Sequence, residues 1–151
     1  MREILFKAKR LDNGEWVEGN IVAVPEDADF MPGAYILPRL VSARADPPTK
    51  GIMLGGFFEV APSTVCQYTG LKDKNGKRIF EGDNVYDPHE NSIYTVEWNE
   101  NNAIFQMAHD WRRRSVETAY YCEIIGNIYD GEGDNDSRKK LPALRRRSNA
   151  L

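Results

Sequence analysis

Cysteine and histidine are scarce in this chain, with two of each: Cys66, Cys122, His89 and His109. Thiol catalysis needs a thiolate, a base and a third group that orients the base. Both cysteines fall among apolar neighbours in runs that read as strands, and no spacing brings either to a histidine. The favoured reading is two buried, inert thiols, and no catalytic residue is assigned. Metal binding needs converging ligands. Asp87, His89 and Glu90 cluster, as do His109 and Asp110, but exposed loops account for both groups. No metal and no other cofactor is expected. Glu81 and Asp83 could act as an acid–base pair, yet they flank Gly82, and a turn with Asp83 as its cap explains them. Gly55-Gly56 precedes a strand and not a helix, so it makes no phosphate loop. One constellation remains on the body, Trp111 followed by Arg112, Arg113 and Arg114. A cationic run beside an aromatic ring can stack on bases or anchor a protein interface. A solvated loop is the plainer reading and ranks first. Protein contact ranks ahead of nucleic acid.

The elements that position these residues read mostly as strands. Ile4, Phe6 and Ala8 alternate with Lys7 and Lys9, the period of a strand. Asp12-Asn13-Gly14 is a turn signal, and Trp16 to Val24 returns, giving an N-terminal hairpin. Residues 25–50 carry Pro25, Pro32, Pro38, Pro47 and Pro48. They read as a long connection with at most a short strand at Tyr35-Ile36-Leu37. Strands are expected at 57–60, 64–68, 77–80, 84–86, 93–98, 103–107 and 120–129. Residues 108–119 read as a short helix or loop. Gly76 and Gly82 bracket the short strand 77–80, each at a sharp turn, and are assigned as structural with Asp83. Short strands joined by tight turns suggest a small closed β-barrel.

Length and composition set outer limits. The 151 residues suit one domain or two very small ones. At 41% hydrophobic and 28% charged residues, the chain has ordinary globular composition. The longest mostly apolar uncharged run is 51–58, far short of the ~20 residues of a membrane-crossing helix. The charged opening Met1-Arg2-Glu3 lacks the form of a secretory signal. Unpaired cysteines then point to a reducing compartment, and a cytoplasmic location in a bacterial host is expected. The net charge of −3 divides unevenly: residues 1–130 hold 20 acids and 14 bases, whereas 131–151 hold 3 acids and 6 bases. An acidic body makes nucleic-acid coating unlikely as a main role, because such affinity comes from Lys and Arg displacing counterions.

Residues 60–85, from Val60-Ala-Pro-Ser through Lys74-Asn-Gly76 to Glu81-Gly-Asp-Asn-Val85, resemble the central signature of the YopX family. Ile4-Leu-Phe-Lys-Ala-Lys9 with Gly14-Glu-Trp-Val-Glu-Gly19 is similar to its opening, and Glu123-Ile-Ile-Gly-Asn-Ile-Tyr129 to its closing motif. Cys66 and the tail after Tyr129 depart from its pattern. The resemblance implies a small phage- or prophage-encoded protein with an SH3-like barrel behind a smaller β-rich region, and it implies no particular activity. The expected architecture is therefore mostly β with little helix: an N-terminal hairpin region with its Pro-rich connection over 1–55, an SH3-like barrel over 56–130, and a basic tail over 131–151, disordered or loosely docked on the acidic body. The expected role is a non-enzymatic interaction module. It binds itself as a homo-oligomer, or a host or phage protein, partly through Phe30, Met31, Tyr35, Ile36 and Leu37. A nucleic-acid accessory role using Arg112–Arg114 and the tail is the alternative, with nucleic-acid binding weak or absent.

Overall fold

The computed structural model describes residues 1–29, 31–38, 43–46, 51–54 and 56–131. The expected basic tail beyond Gly131, and Phe30, lie outside these residues. The chain divides into two compact units: Ile4–Val65, and Met1–Glu3 with the chain from Cys66 onward. The strand expected at 57–60 thus belongs to the first unit.

In the first unit, β1 (Phe6–Lys9) and β2 (Trp16–Val24) form the expected hairpin, with Lys9 opposite Trp16. Gly14 takes φ 70° in the turn. β3 (Gly33–Pro38) pairs antiparallel with β2 from Val24↔Gly33 to Gly19↔Pro38. β4 (Ala43–Asp46) and β5 (Gly51–Leu54) pair with each other. β6 (Phe58–Val60) pairs with β3. The long connection expected over 25–50 thus carries two strands among its described residues, β3, which extends the short strand expected at Tyr35-Ile36-Leu37, and β4. Its prolines misled because they stand at strand ends: Pro25 follows β2, Pro32 precedes β3 and Pro38 closes it, where a missing N–H costs no ladder bond. Ile36, expected as part of an interaction surface, is fully buried with Ala8, Ala34 and Val60. The lysine face of β1 is not simply solvated either. The Lys7 and Lys9 ammonium groups lie 4.7 and 4.8 Å from the Trp16 ring centroid, so their stems cover the indole and their charges meet its π face.

In the second unit, β7 (Cys66–Lys72) and β8 (Arg78–Phe80) form a hairpin whose register shifts between Tyr68 and Lys72. A five-stranded antiparallel sheet follows: β9 (Asp83–Asp87), β10 (Ser92–Asn99), β11 (Ile104–His109), β12 (Arg112–Ser115) and β13 (Glu123–Asn127), in the order β12-β11-β10-β9-β13. Residues 112–115, expected as helix or loop, are the edge strand. Val116–Tyr121 is a 3-10 turn, so the closing strand is shorter than expected. The core holds Ile79, Val85, Tyr94, Val96, Met107, Val116, Ala119 and Cys122, each at most 9% exposed.

Among the described residues the five-stranded sheet is open, and no closed barrel forms. β12 and β13 stand at its opposite edges. The 3-10 turn that joins them contributes Val116 and Ala119 to the core. Short strands and tight turns are present as expected; a closed barrel is not. The fold is mostly β, with almost no helix among the described residues.

Candidate interaction site

The tight turns come first because they set the sheet's geometry. Gly76 has φ 78° and Gly82 φ 83°, the left-handed region that favours glycine. The Gly82 amide donates to Val96 O at 2.7 Å, and its carbonyl accepts from Ile128 N at 2.9 Å. Asp83 is buried. Its carboxylate accepts from Phe80 N at 2.8 Å and from Asn127 Nδ2 at 2.9 Å. Asp73 is buried as well and accepts from the amides of Asn75, Lys77 and Ile124. The two turns are thus keyed to the closing strand β13. A Cβ on Gly82 would lie 3.2 Å from both Asn127 Nδ2 and Ile128 Cγ1. Gly82→Val is expected to destabilise by roughly 1–3 kcal/mol, from strained backbone and this crowding; an unchanged melting temperature would refute it.

The arginine run is less open than its sequence suggests. Strand alternation puts Arg112 and Arg114 on one side of β12 and Arg113 on the other. Arg112 Nη1 lies 3.4 Å from Glu90 Oε2, and Arg113 Nε lies 2.8 Å from Glu97 Oε1. Arg114 Nη1 lies 2.5 Å from Asp87 Oδ2 and 3.2 Å from Glu90 Oε1, and its Nη2 donates to the Tyr121 hydroxyl. The Tyr94 hydroxyl donates to Glu90 Oε2. Arg114 also stacks 5.1 Å from the Tyr94 ring centroid. Burial opposes charge on Asp87, but hydrogen bonds from Arg114 and from the amides of His89 and Glu90 outweigh it and hold its carboxyl below the usual range. Burial, then the Glu90 hydrogen bond, pushes Tyr94 up. Sequence reading missed this cluster. Asp87 and Glu90 were weighed as loop ligands, and only the order β12-β11-β10-β9 could have linked them to Arg114. Arg112 and Arg114 meet over Glu90, Arg113 is separate, and Trp111 stands apart at 87% exposure.

The thiols and histidines do not assemble. Cys66 and Cys122 are buried, His109 Nδ1 contacts Ile93 O at 2.8 Å, and His89 packs edge-on against Tyr121. No group of three or more His, Cys, Asp or Glu among the described residues is arranged to hold a metal. Burial, reinforced by the charge of Asp87, pushes the Cys122 thiol up to about 11. In the native protein both thiols are expected to react with iodoacetamide far more slowly than free cysteine and to label fully only after denaturation. Fast native labelling, read by mass spectrometry, would overturn this.

The second unit also presents a groove of about 440 Å³ that the sequence did not announce. Its apolar lining includes Leu71, Trp98, Ile104 and Phe105, and charged residues Arg2, Glu3 and Glu117 border it. Trp98 and Phe105 face each other across β10 and β11 with ring centroids 4.9 Å apart. Trp98 follows Tyr94 and Val96 at alternate positions of β10. It shares their face but lies beyond the core's end, so it is 42% exposed, and Ile104 is 48% exposed.

A family model described as YopX protein matches residues 6–132. The chain is similar to the crystal structure of protein EF1440 from Enterococcus faecalis, at 26% identity and a TM-score of 0.57, over 87% of this chain and 96% of that one. Comparison with curated proteins finds no match.

Proposed function

The chain belongs to the YopX protein family, and from that premise we propose that it is a non-enzymatic, phage- or prophage-derived interaction module. Its Trp98–Ile104–Phe105 groove takes an apolar segment of a protein, either another copy of itself or a host or phage protein. One observation carries this reading: large apolar side chains stand exposed at the mouth of a groove with a charged border, the composition of a protein-binding patch. Burial of both thiols and the raised Cys122 value argue against thiol catalysis. The nucleic-acid alternative has less behind it, because Arg112, Arg113 and Arg114 are each committed to a carboxylate of the same chain and present little unbalanced positive charge.

Peptide-display selection on the immobilised protein tests the reading. Enriched peptides are expected to carry an aromatic or large aliphatic residue, and Ile104→Glu is expected to abolish their binding. No enrichment, or binding that survives Ile104→Glu, would overturn it. Tight retention of DNA or RNA at physiological salt would favour the alternative.

A further inference from the structure

The sequence holds 20 residues past Gly131, outside the described residues. The point from which they depart is close to the groove. Ile128 N donates to Gly82 O at 2.9 Å, and Glu81 N donates to Gln67 O at 2.9 Å. Gln67 lines the groove. Two backbone spacings of ~5 Å and three further residues put Gly131 within ~20 Å of Gln67. Residues 132–140 can span up to ~30 Å, so the apolar run that follows them, Leu141-Pro142-Ala143-Leu144, has the length of chain it needs to reach the groove. That run is framed by cations, Arg138, Lys139 and Lys140 before it and Arg145, Arg146 and Arg147 after it. The groove is framed by acids. Glu117 borders it, and Glu100 stands in the turn between Trp98 and Ala103, which both line it. Glu100 and Glu117 are exposed, and neither is ion-paired among the described residues. Glu3 is already claimed by Arg78, and Arg2 is the one base at the border. Residues 1–3 and 66–131 together hold 12 acids against 8 bases, whereas 132–151 hold 3 acids and 6 bases.

We propose that Leu141–Leu144 of the same chain covers the Trp98–Phe105 groove, its flanking cations against Glu100 and Glu117, so that a protein partner must displace this tail to bind. This rests on the groove being a protein-binding site and adds a means of regulating it. Segment and site share one pattern: an apolar centre with cations at both ends meets apolar walls with unpaired acids at the rim. Tethering removes the need for a large interface. A linker of about nine residues holds the run at an effective concentration on the order of millimolar, so a contact too small to join two free molecules is populated within one. Salt screens the exposed ion pairs at the rim and leaves the apolar burial in place. Raising the salt concentration therefore loosens the tail and opens the groove to a partner that binds through apolar side chains.

A nitroxide attached at Ser148→Cys tests this in the full chain, since both native cysteines are buried. Paramagnetic broadening of the amide signals is read by NMR on isotope-labelled protein. Ile104 and Phe105 are expected to broaden strongly, and Trp111, at the other end of the same strands, only weakly. The broadening is expected to vanish in Leu141→Ser/Leu144→Ser and to weaken in Glu100→Lys/Glu117→Lys. Equal broadening at the two ends of the strands, or broadening that the leucine variant leaves unchanged, would overturn the proposal. Equally strong broadening in a mixture of tagged unlabelled and untagged labelled protein would assign the covering segment to a neighbouring copy and overturn it too. Peptides selected on the groove are expected to bind the leucine variant at least ~10-fold more tightly than the wild type, because the tethered competitor is gone. Peptide binding without tail contact sinks this inference and leaves the groove reading standing. Tail contact in a protein whose leucine variant still binds no peptide sinks the groove reading, and the gating with it.

Discussion

Arg114→Met is expected to destabilise the second unit by roughly 3–5 kcal/mol, the range seen when one partner of a buried pair is removed. Asp87 is fully buried and Arg114 largely so. Methionine keeps much of the packing on Tyr94 but leaves the Asp87 carboxylate with only the amides of His89 and Glu90 as donors, and it strips Glu90 and Tyr121 of a shared donor. The pH profile separates lost charge pairing from lost packing. Asp87 has its carboxyl lowered on folding from the ordinary 3.8, so in the wild type its contribution is complete above that value and is lost as pH falls through the lower folded value. Asp87→Asn with Arg114 intact is expected to remove that acid limb. Chemical denaturation at pH 7 and pH 3 checks both. A loss below about 1 kcal/mol for Arg114→Met, the scale of a surface ion pair, would show that solvent reaches the cluster.

Gly19→Ala is expected to be at least as damaging, and for a different reason. A Cβ at Gly19 would fall 1.9 Å from the Leu37 carbonyl oxygen, 2.6 Å from its carbon and 2.9 Å from Pro38 Cα. All three are backbone atoms of the paired strand β3, so no side chain can swing aside. Either β3 leaves β2 at the Gly19↔Pro38 end or both strands bend, and a cost of roughly 4 kcal/mol or more is expected, among the large single-residue effects. The exposed neighbour Asn20 serves as control, and Asn20→Ala is expected to change stability by less than about 0.5 kcal/mol. Thermal melts of the three proteins decide the matter; equal melting temperatures for Gly19→Ala and wild type would show that the strands have room to part.

These two positions mark where sequence reading works and where it stops. Local chemistry was legible. Asn13-Gly14, Asn75-Gly76 and Glu81-Gly82-Asp83 name turns because only a few residues tolerate positive φ, and the strand expected at 93–98 lies within β10. Gly19, inside an alternating strand, looked like any other residue, because its role comes from a strand whose Pro38, 19 positions later, pairs with it in the β2–β3 register. Arg114 failed for the same reason. Its run of three arginines read as one exposed patch, but pleating splits the run and distant carboxylates claim each member. Prolines at its ends made β3 read as no more than a short strand at Tyr35-Ile36-Leu37 within a long connection. The groove was invisible because Trp98 follows the core pattern yet lies one step past the core's edge.

The bonds that tie the turns at Asp73 and Gly82 to β13 also bear on how the second unit comes into being. Asp73 receives its donor from Ile124, 51 residues downstream, and Asp83 receives one from Asn127, 44 downstream. During translation these carboxylates emerge with their nearby amide donors from Asn75, Lys77 and Phe80, but long before their donors in β13. Until residues 122–128 emerge, β9 lacks one neighbour, and each carboxylate keeps part of its hydrogen bonding with water, since burying it partly unsatisfied is costly. The sheet therefore cannot finish folding as it is synthesised strand by strand. It waits for its last strand and then closes over contacts of long sequence separation, the kind that fold slowly.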